Sequence, residues 1–267
     1  MLLSPWIAAL VAIFTWWFFT GVILFIVRKS DGSKEVAHSR SVFLSIPFAA
    51  LGVAGLFISA AELTTINVYL AFISALLVWG WIELAFLAGI ITGPERTACP
   101  DDIKGWDRFY RAYSTLMYHE LLLVSSLLVI VVICANAANT IGMWTYLIMY
   151  VARISAKLNL FFGVPHINTE FVPKPLEHLK SYFTQGRITI AFPIGVTFLS
   201  LAFACFIERW IASETSAQAI GFALLTSMAA LAAIEHWLMV VPLPDAKLWR
   251  WMLPKPTPVK TGDSHEL

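Results

Sequence analysis

The sequence predicts an all-α, polytopic membrane protein: a seven-transmembrane-helix bundle, N-terminus periplasmic and C-terminus cytoplasmic. Three observations carry that expectation. The chain is 59% hydrophobic and only 13% charged, with a mean hydropathy of +0.76, whereas soluble domains run nearer a quarter charged. Apolar runs of about the 20 residues a helix needs to cross a bilayer recur along it. Lys and Arg fall in alternate loops between those runs.

The runs are roughly 4–27, 41–60, 67–92, 114–135, 141–162, 188–211 and 217–241. Each is longer than a barrel strand and lacks strand alternation, so helix is the expected form. The first has no basic leader and is too long for a signal-peptide core, so it reads as a retained span.

The loops give the direction. Arg28, Lys29, Lys34 and Arg40 follow the first run, and 61–66 holds no basic residue. Arg96, Lys104, Arg108 and Arg111 fall in 93–113, and 136–140 again holds none. Lys174, Lys180 and Arg187 fall in 163–187, 212–216 holds none, and the tail carries Lys247, Arg250, Lys255 and Lys260. The positive-inside rule then puts the basic loops and the C-terminus in the cytoplasm.

Residues 1–253 read as a single membrane domain, and 254–267, "PKPTPVKTGDSHEL", as a flexible cytoplasmic tail. In 163–187 three prolines come first. Leu176, Leu179, Tyr182 and Phe183 then repeat at helical spacing, as in an interfacial amphipathic helix. A net charge of +1 without a basic face argues against a nucleic-acid partner. Cys99, Cys134 and Cys205 show no pairing or CxxC spacing and read as incidental thiols.

The ionisable residues inside the runs are the sharper signal. They are Glu83, His119, Glu120, Arg153, Lys157, Glu235 and His236, with Glu208 and Arg209 near an outer end. With the predicted direction, the first seven all lie within roughly 15 Å of the cytoplasmic surface, at 1.5 Å per helical residue. Each charge costs about 2.5–3.5 kcal/mol at mid-membrane on insertion scales. Seven at one depth therefore imply a shared polar interior or cavity. Arg153 and Lys157 share a helix face and can meet the acids, and Tyr118 and Asn159 can complete the hydrogen bonds. A network that merely fixes helix register, with Arg153 and Lys157 snorkelling to the surface, is the plainer alternative.

Several chemistries use such a set. Three Glu and two His match the ligands of a carboxylate-bridged iron pair, making Glu83, His119, Glu120, Glu235 and His236 the metal candidates. The Glu-x-x-His spacing of such sites is absent, however. A neutral His119 or His236 could ligate the metal of a tetrapyrrole. Proton transport is a third option, but the outer half offers no matching polar path. The last run has no Lys, which excludes a retinal protein. His166, Asn168 and Glu170 sit in the cytoplasmic loop, as turn-forming groups or as part of a lid. The aromatic stretch Trp16, Trp17, Phe18 and Phe19 suits lipid or helix contact better than a pigment site.

Several stretches together resemble the PuhE-type photosynthetic complex assembly proteins of purple phototrophic bacteria. They are "FTWWFFTG" (14–21), "WGWIELAFLAGIITGP" (79–94), "YHELLL" (118–123), "RISAKLNLFFGVPHINTEFVPKPLEHLKSYF" (153–183) and "EHWLMVVPLPDAKLWRW" (235–251). The family often has Asn where this chain has His166. The resemblance implies a multi-pass protein of the bacterial inner membrane, cytoplasmic or intracytoplasmic. It implies a part in assembling reaction-centre and light-harvesting complexes and in bacteriochlorophyll supply, with complex subunits or pigment-synthesis proteins as partners. Bacteriochlorophyll or a precursor is then the expected cofactor, iron a weaker candidate, and a non-enzymatic role is favoured over a membrane-bound metal-dependent oxidoreductase or another enzyme modifying a tetrapyrrole pigment.

Overall fold

The structure is a computed structural model that describes residues 4–33 and 36–242. The expected tail, 254–267, lies outside the described residues. Eight α-helices are present among them: α1 (Pro5–Asp31), α2 (Val36–Ser59), α3 (Thr65–Leu87), α4 (Gly105–Ser114), α5 (Met117–Cys134), α6 (Ile141–Phe162), α7 (Ala191–Ile211) and α8 (Ser216–Leu238). The described residues contain no β-strand, only an isolated bridge between Val164 and Gln185.

The helix starts follow from local chemistry. Pro5 opens α1, where its missing N–H costs nothing. The Thr64 hydroxyl accepts from the Asn67 N–H at α3, and Thr215 and Gln218 form a reciprocal capping box at α8. At the far end of α3, Gly89 takes a φ of +72°, which a Cβ would strain. A Cβ there would also collide with Pro175, so the loop after α6 packs on the end of α3 only because residue 89 is glycine.

Among the described residues, six helices are long and apolar enough to cross a membrane: α1, α2, α3, α5, α7 and α8. The expected seventh, α6, is not among them, although Ile141–Phe162 coincides with the apolar run. Arg153, Lys157 and Asn159 dilute its hydropathy. Helices α3 and α8 are the most enclosed of the six, and a core of Phe72, Leu76, Ile148, Ile220, Leu224 and Met228 joins them to α6. Close packing relies on small residues, as in membrane bundles generally. A Cβ on Gly55 of α2 would strike the Ser74 hydroxyl of α3, and one on Gly195 of α7 the Ser155 hydroxyl of α6.

The two ends of the bundle differ. At one, the Asn139 amide donates to the carbonyls of Ser59 and Asn67, both at 3.0 Å, and Trp6 meets Trp210 edge-on. At the other lie the basic loops. The 163–187 segment crosses that end as a strap. Arg28 donates to the Glu170 carbonyl, Lys174 to the Asp31 carbonyl at 3.0 Å, and Arg108 to the Tyr182 carbonyl at 2.8 Å. The His166 N–H reaches the Met239 carbonyl at 3.0 Å.

Two local expectations are corrected. The Leu176–Phe183 segment is 3₁₀ rather than α-helical, spanning Lys174–Tyr182. Pro173 and Pro175 remove two donors there, and Leu176, Leu179 and Tyr182 are buried in the strap rather than facing lipid. Helix α4 was not anticipated. Its charges mask an amphipathic pattern in which Trp106, Tyr110 and Tyr113 are exposed.

Candidate functional site

The site is assembled at the strap end from α3, α5, α6 and α8. The start of α5 is set by the Thr92 carbonyl, which accepts from the N–H groups of Tyr118 at 2.9 Å and His119 at 3.1 Å. This satisfies donors that a helix start leaves open. It places the fully buried His119 ring against Phe86, with centroids 4.2 Å apart.

Around that ring, four further ionisable side chains gather. Arg153 donates to Glu83 at 2.8 Å. His119 Nε2 lies 3.6 Å from the Glu83 carboxylate, and Nδ1 lies 3.5 Å from that of Glu120. Lys157 sits 3.1 Å from His119 Nδ1 and binds the Glu120 carboxylate directly. Both cations also lie near the Phe86 ring, Arg153 at 5.8 Å and Lys157 at 5.5 Å from its centre, where a π-face attracts positive charge. Two carboxylates thus face two cations. Glu83 stands one turn from the end of α3 and Glu120 in the first turn of α5, so the cluster lies closer to the helix ends than the apolar runs implied.

His236 belongs to a second, neutral group. Its Nδ1 lies 2.8 Å from the Ala232 carbonyl and its Nε2 2.9 Å from the Ser155 hydroxyl. A carbonyl only accepts, so Nδ1 donates, and the Nε2 of the neutral ring accepts from Ser155. The Asn159 amide donates to the Ser155 carbonyl at 2.9 Å. Asn159 Oδ1, Arg153 Nε and Glu120 Oε2 are buried without a partner.

A cavity of about 490 Å³ adjoins both groups. Trp16, Phe19 and Ile23 of α1, Trp79 of α3, and Met228 and Leu231 of α8 supply apolar wall. Glu83, Arg153, Lys157, Glu235 and His236 supply polar lining, and the strap closes one side with Ile167, Asn168, Phe171 and Leu176. Glu235 has no hydrogen-bond or ion-pair partner among the described residues.

Other expected residues behave differently. Tyr118 lies exposed on α5, outside the network. His166 is exposed and engages Met239 only through its backbone. Asn168 caps the Glu170 N–H at 3.3 Å, a turn role, while also lining the cavity. Glu208 and Arg209 form an exposed pair at 3.9 Å. Among the described residues no three His, Cys, Asp or Glu side chains are placed to hold a metal. The candidate carboxylates Glu83 and Glu120 are already bound by Arg153 and Lys157. Neither candidate axial ligand offers a clear face to a tetrapyrrole metal. His119 Nδ1 is held by Lys157 and its Nε2 is buried beside Glu83, while both nitrogens of His236 are hydrogen-bonded. Ser155, Thr92 and Phe86 were not singled out from the sequence. Ser155 alone carried a signal, one turn before Asn159 on the same face.

The fold and site define a multi-pass α-helical membrane protein with a buried ion-pair cluster beside a cavity. Residues 2–260 match the family described as "Protein of unknown function (DUF3623)", and the chain belongs to that family. It is 47% identical over 251 residues to the "Uncharacterized 30.4 kDa protein in puhA 5'region" of Rhodobacter capsulatus, covering 94% of this chain and 92% of the relative. No solved structure matches the chain.

Proposed function

We propose that this protein is an integral inner-membrane factor for assembly of the photosynthetic reaction-centre/light-harvesting complex. It would act through supply or handling of bacteriochlorophyll or a precursor at the strap-end cavity. The observation that carries the reading is the extensive identity with a protein whose printed name places it beside puhA, in keeping with the PuhE-type resemblance. The cavity adds a place for an apolar molecule with polar substituents, since aromatic and aliphatic residues line it together with Glu83, Arg153, Lys157 and Glu235. With both histidines engaged, a pigment would be held by ring contacts and by its polar substituents.

We further propose that α6 is a seventh crossing. It begins beside the Asn139 knot and ends beside the strap, and neighbours can satisfy its polar residues. The N-terminus would then be periplasmic and the strap cytoplasmic. A pigment-modifying enzyme is the second reading, favoured by one feature: an unpaired acid, Glu235, at the cavity.

The test is a pair of variants in a phototrophic host. Glu235→Gln and His236→Ala should lower photosynthetic complex yield while the protein stays inserted, and protein purified from wild-type cells should show a red absorption band. Normal complex levels in both variants, with no band, would overturn the reading. Reporter fusions in the 136–140 and 163–187 loops should fall on opposite sides of the membrane.

A further inference from the structure

The charges beside the cavity do not close without a guest. Glu83 is matched by Arg153 and Glu120 by Lys157, so this group is internally balanced. His236 is satisfied by Ser155 and Ala232. Glu235 is left over: it lines the cavity and has no partner among the described residues. Glu235 is an exposed side chain at the cavity, and the Arg153 charge acts on it with no hydrogen bond or salt bridge between them; a purely packing role in a membrane helix would be served better by Leu or Met. Arg153 lines the same cavity, its side chain one-third exposed although its Nε is buried.

We propose that Glu235 is a ligand-binding carboxyl. It accepts a hydrogen bond from an N–H or O–H group on the head of a lipid-soluble molecule, and the exposed part of the Arg153 guanidinium donates to an acceptor on that head. The apolar body lies against Trp16, Phe19, Trp79, Met228 and Leu231. The ligand class is therefore an amphiphile whose head carries both a donor and an acceptor. This rests on reading the cavity as a binding site, but not on the photosynthetic role.

A hydrophobic carbodiimide tests it on the purified full-length protein. The carboxyl adds across one C=N bond, oxygen to carbon and proton to nitrogen, and acyl transfer to nitrogen gives a stable N-acylurea. Dicyclohexylcarbodiimide should label Glu235 severalfold faster than Glu83 or Glu120, as read by peptide mass spectrometry. Glu235→Leu should lose that label and keep the wild-type melting temperature or exceed it. Dodecanamide, which carries an N–H donor and a carbonyl acceptor and is not a nucleophile toward the activated acyl group, should slow the labelling severalfold, and dodecane should not. A Glu235 as unreactive as Glu83, or labelling that dodecanamide leaves unchanged, would overturn the proposal. Protection by dodecanamide in a protein whose Glu235→Leu variant supports normal complex yield would leave this inference standing and sink the photosynthetic one.

Discussion

Lys157 of α6 holds its ammonium between two consecutive residues of α5, 3.1 Å from His119 Nδ1 and bound to the Glu120 carboxylate. Consecutive helical residues point about 100° apart, yet one long cation spans both. Removing it strands a buried carboxylate, which costs about 3–5 kcal/mol in the general case. Lys157→Met should therefore lower the melting temperature in detergent sharply. Adding Glu120→Gln should restore much of the loss, and a double-mutant cycle would measure the coupling. Independent, additive effects would show that the pair contributes little.

Glu235 should behave in the opposite way. Having no partner to strand, Glu235→Leu should leave thermal stability unchanged or raise it, since an apolar side chain suits the site better. A fall comparable to that of Lys157→Met would reveal a structural partner.

Gly195 sits where α7 meets α6 and α8. A Cβ there would strike the Ser155 hydroxyl and lie 3.6 Å from His236 Cδ2. Gly195→Ala should cost about 1–3 kcal/mol by overpacking and break the Ser155–His236 hydrogen bond. Combining it with Ser155→Ala should relieve the clash, which melting curves of both variants would show.

Outside the membrane, Glu95 in the α3–α4 connection is held below the usual carboxylate range. The Thr97 hydroxyl and backbone N–H donate to it, and the Arg111 guanidinium lies 2.9 Å away. A depressed acid adds stability above its unfolded pKa of about 4.3 and loses it as pH falls through the lower folded value. Amide exchange in 95–99, corrected for intrinsic rates, should rise below pH ~4 in the wild type. Glu95→Gln should remove that pH dependence.

The sequence made some of this legible and not the rest, for physical reasons. Runs of apolar residues report helices directly, because lipid selects length and hydropathy together. Helix α6 was visible as a run but falls below the other six because Arg153, Lys157 and Asn159 lower its hydropathy. Helix α4 was hidden because Arg108 and Arg111, which read as loop charge, serve to grip Tyr182. At the site, the run ends placed the ionisable groups toward one end of the bundle, but the helices put Glu83 and Glu120 nearer their ends than the runs implied. Their partners could not be read, since pairing depends on how each helix is rotated. His236 reaches Ser155, a residue with no charge to advertise it, while adjacent Glu235 reaches none.

The strap also sets an order of events during biosynthesis. Its anchors lie far apart in the chain, at Arg28 and Asp31 on one side and Met239 on the other. A nascent chain can fold α1 to α6 and still leave the strap without its last anchor until α8 has emerged. A guest molecule could therefore be loaded while the protein is still being made, and a ribosome-stalled chain ending before Met239 would offer a wider vestibule than the finished protein, in which the strap covers one side.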